Sequence, residues 1–551
     1  MARGELQTPW VEGMSFKHLE HFGWIKFDLL GLETLRIMER AIELILKRHE
    51  GIESPTFKDV RGWYDKNMSP SVVDFNDQKV YESTYHAGRW AAIFQCTHKG
   101  AQKLFQRAKP KSLVDLATLT SIYRPGPLKA KVDRLYVKNK ANPEIVDYKH
   151  PLIKEVLEET YGCIIFQEQV MQLANQVAGI PKAECNKIRK MMKPTSGSDS
   201  ENIKKAAALK DRFVTGSVEN GVDRSTASAL YDDILKFASY GFNKSHAIAY
   251  SMDSFFCAWL MTYYEEEWLC AYLEATCSNP KKRDKSVGEV KSLGYNIIPI
   301  DINKAEKSWA IIEGKKFMPS FYSCKGIGEA AVDEILEKRP YTNTYDLLWN
   351  EDGTWKHSKF NKRVLENLIK IRAMKSMDFV GNDSTFSSYS QAHEIIINNF
   401  SNLRKSLKKN KFQGQDNMKE ILLELSDYPE WTPKELLEFE SSLLGTMNPE
   451  SILTDEILQK LNEKNIRPLS DFDGSNLYWC MVTNAMPKLT RNKRPYLMLE
   501  VISTTGKRER LFCWGWNGKT EIEKYTPIII GVEENDFGKA TKWNRLKIIK
   551  V

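Results

Sequence analysis

Residues 237–250 (FASYGFNKSHAIAY) join two apolar helical patterns, at 227–235 and 247–263, through a break at Gly241. Four polar side chains stand at the start of the second pattern: Asn243, Lys244, Ser245 and His246. A helix start offers unpaired backbone N–H groups and a partial positive charge, so a lysine and further donors at that point suit a phosphate. The stretch predicts a phosphate-binding helix start; the alternative is an ordinary helix cap with a solvated lysine.

The length and composition of the chain narrow the protein class. A single hydrophobic core rarely extends over 551 residues, so we expect several domains. The hydrophobic fraction of 42% is typical of a soluble globular protein, and no apolar run is long enough to span a membrane. Because the N-terminus has no apolar signal segment, we expect a cytoplasmic protein without a membrane partner. A net charge of +8 is compatible with a polyanionic partner.

Residues 23–32 (GWIKFDLLGL) are apolar except for Lys26 and Asp28. If this segment is a strand, both side chains lie on the same face. A carboxylate and an ammonium within a buried strand are unfavourable unless they are paired or used. The two readings are a buried ion pair, or a metal-binding Asp28 beside a phosphate-binding Lys26.

Two further stretches offer cations to a phosphate. Arg124 precedes a Pro-Gly-Pro turn that restricts its backbone, and arginine is suited to bidentate phosphate contacts. Arg189 and Lys190 lie in a basic helical pattern at 186–193 (NKIRKMMK). The Pro-Gly-Pro segment is by itself also compatible with a simple turn.

Residues 321–336 (FYSCKGIGEAAVDEIL) contain a helix–hairpin–helix signature, in which Lys325, Gly326 and Gly328 open a helix. Glycines at a helix start let a phosphate approach the backbone N–H groups. Such hairpins bind DNA without reading its sequence, although some are purely structural. Residues 379–465 include polar and basic stretches and are interpreted as a linker with helical segments.

From residue 477 the pattern changes to alternation, with strands predicted at 478–482, 496–502 and 509–514. Basic turns between aromatic-bearing strands predict a small β-barrel of the oligonucleotide-binding (OB) type. Barrels of this type bind single strands by base stacking and backbone charge. The candidate contact residues are Tyr478, Trp479, Phe512 and Trp514 for stacking, and Arg491, Lys493 and Arg494 for phosphates.

The order of these motifs carries a resemblance. IKFDLLGL, SIYRPGPL, TYGCIIFQEQVM, KIRKMMK, FASYGFNKSHAIAY and KGIGEAAVDEIL, followed by a terminal barrel, resemble the bacterial C-family replicative DNA polymerases, the DNA polymerase III alpha subunits. The resemblance is strongest over residues 23–275 and weakens after residue 380. It implies a palm of the nucleotidyltransferase type, a fingers domain, a helix–hairpin–helix domain and the barrel.

We therefore expect a multidomain α+β protein with five parts. In chain order they are a palm remnant at 1–50, mostly helical fingers at 51–280, a helix–hairpin–helix domain at 281–378, a polar linker and helical segment at 379–465, and an OB-type barrel at 466–551.

The resemblance also implies a chemistry. Asp28 would bind Mg²⁺, and Lys26, Arg124, Arg189, Lys190 and the Asn243–His246 group would contact triphosphate and template phosphates. The implied partners are primer–template DNA, single-stranded template, deoxynucleoside triphosphates and, less directly, a sliding clamp. A clamp-binding peptide is not evident in the sequence, since Gln415 begins a similar stretch but Lys419 stands where an aromatic residue belongs.

The palm of this family uses three aspartates. Of these three, only one has a counterpart in this sequence, Asp28. Two metals about 4 Å apart need several carboxylates. We therefore expect the C-terminal half of a split or phage-type alpha subunit, active with a chain that carries the other aspartates. The alternative is a non-catalytic DNA-binding protein derived from such a polymerase. Retention of Lys26, Asp28 and Arg124 favours the enzyme.

Overall fold

A computed structural model describes residues 31–185, 200–238, 241–381, 385–424, 428–445, 453, 455–474, 477–504, 508–535 and 538–549. Lys26, Asp28, Arg189 and Lys190 lie outside these ranges, as does most of the predicted palm remnant.

Helices form most of the described chain up to residue 292. They are α1 Glu33–His49, α2 Phe57–Asn67, α3 Gln78–Val80, α4 Lys99–Ala108, α5 Leu113–Ile122, α6 Pro125–Lys129, α7 Val132–Ala141, α8 Pro151–Leu157, α9 Gln167–Gln172, α10 Ser200–Glu219, α11 Arg224–Ala238, α12 Lys244–Tyr263, α13 Glu265–Thr276 and α14 Pro280–Ser292. Short π-helical segments, Tyr81–His86 and Leu173–Val177, continue α3 and α9.

Two hydrophobic cores organise this helical region. The larger core packs α1, α5, α12 and α13 around buried aromatic side chains such as Tyr81, Phe255 and Trp268. The smaller core lies between α8, α9, α10 and α11 and includes Phe213 and Tyr231. The apolar residues of α1 recur every three or four positions, so one face of the helix is buried against α13.

A hairpin region follows. Its elements are β1 Asn296–Ile297, β2 Ala310–Ile312, β3 Lys316–Met318, α15 Glu329–Lys338, α16 Thr344–Leu348, α17 Lys362–Lys370, α18 Tyr389–Asn398, α19 Phe400–Leu403 and α20 Gln413–Glu424. β3 lies between β1, which is parallel to it, and β2, which is antiparallel. Residues from Ile300 to Met418 share one hydrophobic core.

Two predicted boundaries need correction. The larger helical core continues past residue 280, because Val287, Tyr295 and Phe317 pack into it. The segment predicted as a linker from residue 379 begins as part of the hairpin core, where Phe379 and Ile396 are buried. Its Ser- and Asn-rich composition concealed apolar positions that recur at helical spacing in α18.

The C-terminal part is a curved sheet. After α21 Pro433–Phe439, the π-helical segment Glu440–Leu444 and α22 Asp455–Glu463 come the strands β4 Arg467–Pro468, β5 Tyr478–Leu489, β6 Pro495–Ile502, β7 Glu509–Trp514, β8 Thr526–Ile530, β9 Glu533–Asn535, β10 Gly538–Lys542 and β11 Leu546–Ile548.

The strand order in this sheet is β11-β8-β5-β6-β7-β10-β9, with β4 beside β5. The β5-β6-β7 meander is antiparallel, β8 returns antiparallel to β5, and β10 runs parallel to β7. Leu497, Leu499, Val501, Leu511 and Cys513 alternate onto the inner face and form its core. The multidomain α+β class is thus confirmed. Within the described ranges, no helix combines the length and the apolarity that are needed to cross a membrane.

Candidate nucleotide and nucleic-acid interface

The residues before α9 and the residues before α12 meet. Phe166 and Phe242 form an isolated parallel bridge, in which the Gln167 N–H donates to the Phe242 carbonyl at 2.9 Å. The Gln167 side chain also donates to the Gly241 carbonyl at 2.7 Å. Two sequence motifs more than 70 residues apart therefore build one site.

The start of α12 is satisfied by groups of the chain itself. The Asn243 side chain caps the helix by accepting from the His246 N–H at 2.8 Å. The Glu168 carboxylate accepts from the Lys244 N–H at 2.8 Å and from the Asn243 amide at 2.7 Å. Ser245 donates its hydroxyl hydrogen to Asn243. A carboxylate thus occupies the place where the sequence predicts a phosphate, which fits the preference of a helix start for an anion.

The Lys244 ammonium is paired as well. Its Nζ lies 2.6 and 2.7 Å from the two carboxylate oxygens of Glu159, and both side chains are about one-third exposed. Both acidic residues belong to the EETYG…QEQVM stretch. Glu168 lies at the start of α9, and the sequence gives no signal that Glu159 would neutralise Lys244.

Arg124 faces the same site from another element. It is the N-cap residue of α6, and its guanidinium carbon lies 4.1 Å from the centre of the Phe242 ring, a cation–π contact. The His246 ring packs against the Phe242 ring, with centres 5.3 Å apart, and against the Tyr250 ring, with centres 4.2 Å apart. The structure therefore brings Arg124 and His246 to the ring of Phe242, and the Lys244 ammonium to 5.8 Å from the ring centre of the neighbouring Phe166. Sequence reasoning did not single out either phenylalanine.

The hairpin turn differs from the start of α12. Lys325, Gly326 and Gly328 are all exposed, and Gly328 is the N-cap of α15 with no side chain to satisfy the helix start. Gly326 has φ +84°, and a Cβ there would lie 2.9 Å from Arg363 Nε. Glycine thus lets the Arg363 side chain approach the turn, which adds a cation that the sequence motif did not indicate.

The buried carboxylate of Glu334 stabilises this hairpin region. Burial alone would raise the pKa of Glu334, but the Lys338 ammonium and three backbone N–H groups of residues 358–360 outweigh it and lower the pKa to about 2. The neighbouring His357 is buried, and this desolvation lowers its pKa to about 4. Its Nε2 donates to the Leu347 carbonyl at 2.7 Å in the neutral state.

Three aromatic residues, of which Trp514 is exposed and the other two are half-buried, lie on the outer face of the C-terminal sheet. Tyr496, Phe512 and Trp514 lie together, with ring centres 4.8 Å apart for Tyr496–Trp514 and 5.7 Å for the stacked pair Phe512–Trp514. The strand registers align Lys488, Tyr496, Trp514 and Lys542 across β5, β6, β7 and β10. Cations therefore flank a row of aromatic rings. The turn before β6 holds Arg491, Lys493 and Arg494, all exposed, as predicted.

Two of the four predicted stacking residues are wrong. Tyr478 is 0% exposed and donates its hydroxyl hydrogen to Asp473, while Trp479 is 2% exposed and packs under α22 against Leu461. The first half of β5 is covered on both faces, so neither ring can receive a base. Strand alternation could have identified Tyr496, because it stands two positions from Met498 on the face opposite to Leu497 and Leu499.

Magnesium ligands are not assembled in the described part of the chain. Within the described ranges, no group of three or more His, Cys, Asp or Glu side chains could hold a metal ion. The predicted ligand, Asp28, precedes these residues.

Comparison with known proteins decides the family. Residues 34–221 match the family model of the bacterial DNA polymerase III alpha subunit finger domain, and residues 294–381 match that of a helix-hairpin-helix motif. The DNA polymerase III subunit alpha of Campylobacter jejuni is 35% identical over 375 residues, which is 67% of this chain and 29% of that protein. That of Chlamydia trachomatis is 30% identical over 481 residues, 84% of this chain and 35% of that protein.

The chain belongs to the bacterial C-family DNA polymerases. The DNA polymerase III subunit alpha of Aquifex aeolicus, 33% identical over 370 residues, covers a similar part, 67% of this chain and 30% of that protein. The polymerase-family chain therefore spans about a third of the length of the curated relatives it matches. The fingers resemblance and the hairpin predicted from the sequence are both confirmed.

Proposed function

We propose that this chain supplies the fingers, the duplex-binding hairpin and the single-strand-binding sheet of a DNA-directed DNA polymerase. Such an enzyme adds deoxynucleotides to a primer 3′ end during DNA replication in the cytoplasm. The observation that carries the proposal is the convergence of Arg124, His246 and Lys244 on the bridged pair Phe166 and Phe242. Of these residues, Arg124 and Phe166 lie within the stretch that matches the polymerase finger domain.

The fingers site would bind the triphosphate by exchanging anions. Lys244 is held by Glu159 and its backbone N–H by Glu168, so an arriving triphosphate meets donors that are already oriented toward an anion. The phosphate oxygens replace Glu159 at the ammonium, and Arg124 adds a second cation from its position over Phe242. Oriented donors of this kind stabilise charge on the transferred group without reorganisation.

The chemical step would need metal ions and further carboxylates. Two Mg²⁺ ions stabilise the attacking and leaving oxygens in this reaction class. Asp28 would bind metal, Lys26 would contact phosphate beside it, and Arg189 and Lys190 would neutralise further phosphates. The remaining carboxylates would come from a palm segment beyond these 551 residues, which we propose is a complementing chain. A sliding clamp would be a further partner.

The DNA path follows from the two other regions. The exposed Lys325–Gly328 turn and the adjacent Arg363 would hold the duplex backbone. The row of Tyr496, Phe512 and Trp514 would stack against bases of the template strand, and the basic turn before β6 would contact its phosphates.

Primer extension tests the enzyme. With magnesium, primer–template and four nucleotides, extension should require a palm segment that carries the remaining aspartates. In that assembled enzyme, Asp28→Asn should abolish single-turnover incorporation while leaving primer–template binding unchanged. A well-folded Asp28→Asn enzyme that still incorporates at the normal rate would exclude Asp28 from the metal site. Efficient extension by the 551-residue chain alone would contradict the requirement for a complementing chain.

Single-strand binding tests the sheet. Stacking contributes about 1–3 kcal/mol per base, so Trp514→Ala should weaken binding of a fluorescent oligonucleotide at least about fivefold. The matched control is Leu489→Ala, which removes a 67% exposed apolar side chain from the same sheet. Equal affinity of the Trp514 variant and the control would contradict the assignment of this face.

A further inference from the structure

A cavity of about 230 Å³ lies where the helical region meets the hairpin region. It is bounded by α14, by the segment 297–300 after β1, by residues 371–375 after α17 and by the π-helical segment Glu440–Leu444. It is separate from the Phe242 site, from the hairpin turn and from the aromatic row of the C-terminal sheet. None of the functions proposed above uses it.

Arg283 is the buried cation of this cavity. The residue is 5% exposed, its guanidinium donates to the Cys277 carbonyl at 3.3 Å, and its Nε has no hydrogen-bond partner. The adjacent Asp284 carboxylate forms its ion pair with Arg508, at 2.9 Å. Gly445 closes over the guanidinium, since a Cβ at that position would lie 1.4 Å from Nη2. An arginine with an unused donor is thus fixed in the cavity wall.

Further cations surround the same space. Arg372, Lys375 and Lys291 also line it, against one carboxylate, that of Glu440. Burial lowers the pKa of Lys375, and the neighbouring Arg372 lowers it further. Arg372 itself has φ +54°, a conformation that is unfavourable for a residue with a side chain. Asp284 beside Arg283 and Asp301 near Lys375 offset part of this charge. Four lining cations against three nearby carboxylates still leave an excess of positive charge, which favours an anion.

The other walls are apolar and limit the size of the ligand. Ile298, Ile300 and Trp309 line the cavity beside the cations. Pockets that enclose a drug-sized ligand begin at about 300 Å³, so this partly open cavity would hold one such molecule with part of it at the open side, and it excludes an oligonucleotide. A phosphate alone would leave the apolar walls without a partner.

We propose that this cavity binds a nucleoside monophosphate, with the phosphate on Arg283 and Arg372 and the base against Ile298 and Trp309. A guanidinium forms strong charge-assisted hydrogen bonds to phosphate, and the unpartnered Nε of Arg283 can donate one. Since the cavity lies between α14 and the hairpin core, the bound nucleotide would contact both regions at once.

Isothermal titration of the 551-residue chain tests the site. The probe is adenosine 5′-monophosphate, with orthophosphate and adenosine as separate titrations. We expect one site for the monophosphate and at least tenfold weaker binding of orthophosphate and of adenosine. Orthophosphate binding as tightly as the monophosphate would overturn the assignment of the apolar walls, and no monophosphate binding would overturn the site.

Variants locate the binding. Arg283→Met should weaken it at least tenfold, as expected for the loss of a charged hydrogen bond. If this variant has a lowered thermal midpoint, Arg372→Gln at the exposed side of the cavity provides the same test. Ile298→Trp, which fills the cavity and keeps every charge, should abolish binding. Unchanged affinity in the Ile298 variant would place the nucleotide elsewhere and refute the proposal.

Two controls separate this site from others. Lys304→Gln removes an exposed lysine of the same region that does not line the cavity, and it should leave the affinity unchanged. Lys244→Ala alters the fingers site and should also leave monophosphate binding unchanged. Loss of binding in the Lys244 variant would mean that the monophosphate occupies the fingers site, which contradicts the proposal but not the proposed polymerase function.

Discussion

The starts of α12 and α15 present their first N–H groups in opposite ways. At α12, Asn243 and Glu168 accept from the backbone, and Glu159 holds the Lys244 ammonium. At α15, the cap is Gly328, which brings no side chain, and the neighbouring Lys325 is exposed. One helix start is already filled by acidic groups of its own chain, whereas the other is open to solvent.

This difference matches the ligands proposed for the two sites. A fingers site has to exchange one small anion for another in every catalytic cycle, and carboxylates that hold the donors in place keep them oriented between cycles. A hairpin that slides along the phosphates of a duplex is always in contact with an anion. It therefore needs no carboxylate of its own chain to occupy the helix start. The difference teaches that a helix start can serve two kinds of anion binding. With carboxylate neighbours it exchanges one bound anion for another, and without them it stays open to any phosphate.

A fall in pH should produce the largest effect, because it destabilises the buried Glu334 and His357 that support the open start of α15. His357 has a folded pKa of about 4 and an ordinary value of 6.5, so the unfolded chain binds the proton more tightly. The contribution of neutral His357 to the free energy of unfolding is therefore lost as the pH falls from 6.5 to 4. Glu334, with a folded pKa of about 2 against 4.5, adds a loss below pH 4.5. The hydrogen-exchange protection factors of residues 329–370, which correct the rates for the intrinsic effect of pH, should fall steeply over this range.

His357→Gln supplies the control for the acid experiment. The substitution removes the titrating ring, so the pH dependence between 6.5 and 4 should flatten, whatever the variant's stability at pH 7. An unchanged slope in this variant would assign the acid sensitivity to other groups.

Sequence and structure agree best where a local pattern determines the outcome. The predicted strand at 509–514 is β7, and the predicted turn of Arg491, Lys493 and Arg494 connects β5 to β6. Alternation and turn residues are local signals, and they do not depend on distant neighbours. The helix start at Lys244 was found for the same reason, because its break and its polar cap are adjacent in sequence.

The features that sequence missed depend on tertiary neighbours. Tyr478 and Trp479 have the composition of stacking residues, but α22 covers the outer face of β5 and buries Trp479. Glu159 lies 85 positions from Lys244, and neither local sequence contains a pattern that predicts their contact. The cavity around Arg283 gathers residues from segments that are far apart in the sequence, such as α14, residues 371–375 and the segment Glu440–Leu444. A single sequence without its fold cannot show such pairings.

Lys244→Ala should produce the next largest effect. Removal of a charged contact to phosphate corresponds to about a 10- to 100-fold loss, here in kcat/KM for the nucleotide in the assembled polymerase. Residual turnover should remain because Arg124 and the backbone donors are still present. Lys154→Ala is the matched control, since its ammonium pairs with Glu158 on a nearby exposed helix. A Lys244 variant with the kinetics of the Lys154 variant would remove Lys244 from the nucleotide site.

Glu159→Gln should have a smaller effect of the opposite sign. The variant keeps the side-chain shape and removes the anion that competes for Lys244. Partly exposed ion pairs contribute up to about 1 kcal/mol, so triphosphate affinity should rise about two- to fivefold. The gain should disappear in the Lys244→Ala background, as a double-mutant cycle measured by nucleotide titration would show. A gain that persists in that background would mean that Glu159 acts by general charge alone.

Lys325→Gln should give the smallest effect, visible in the salt dependence of duplex binding more than in the affinity. The Lys325 side chain is exposed at the open helix start, so its contact with a phosphate releases a counterion, and its loss should lower the slope of log affinity against log salt by about 0.9. Lys307→Gln should not change the slope, because that ammonium is paired with Asp333. Lys244→Gln should not change it either, since an ammonium that exchanges Glu159 for a phosphate releases no net counterion. Equal slopes for the Lys325 variant and the unmodified chain would show that the open helix start does not hold the duplex backbone.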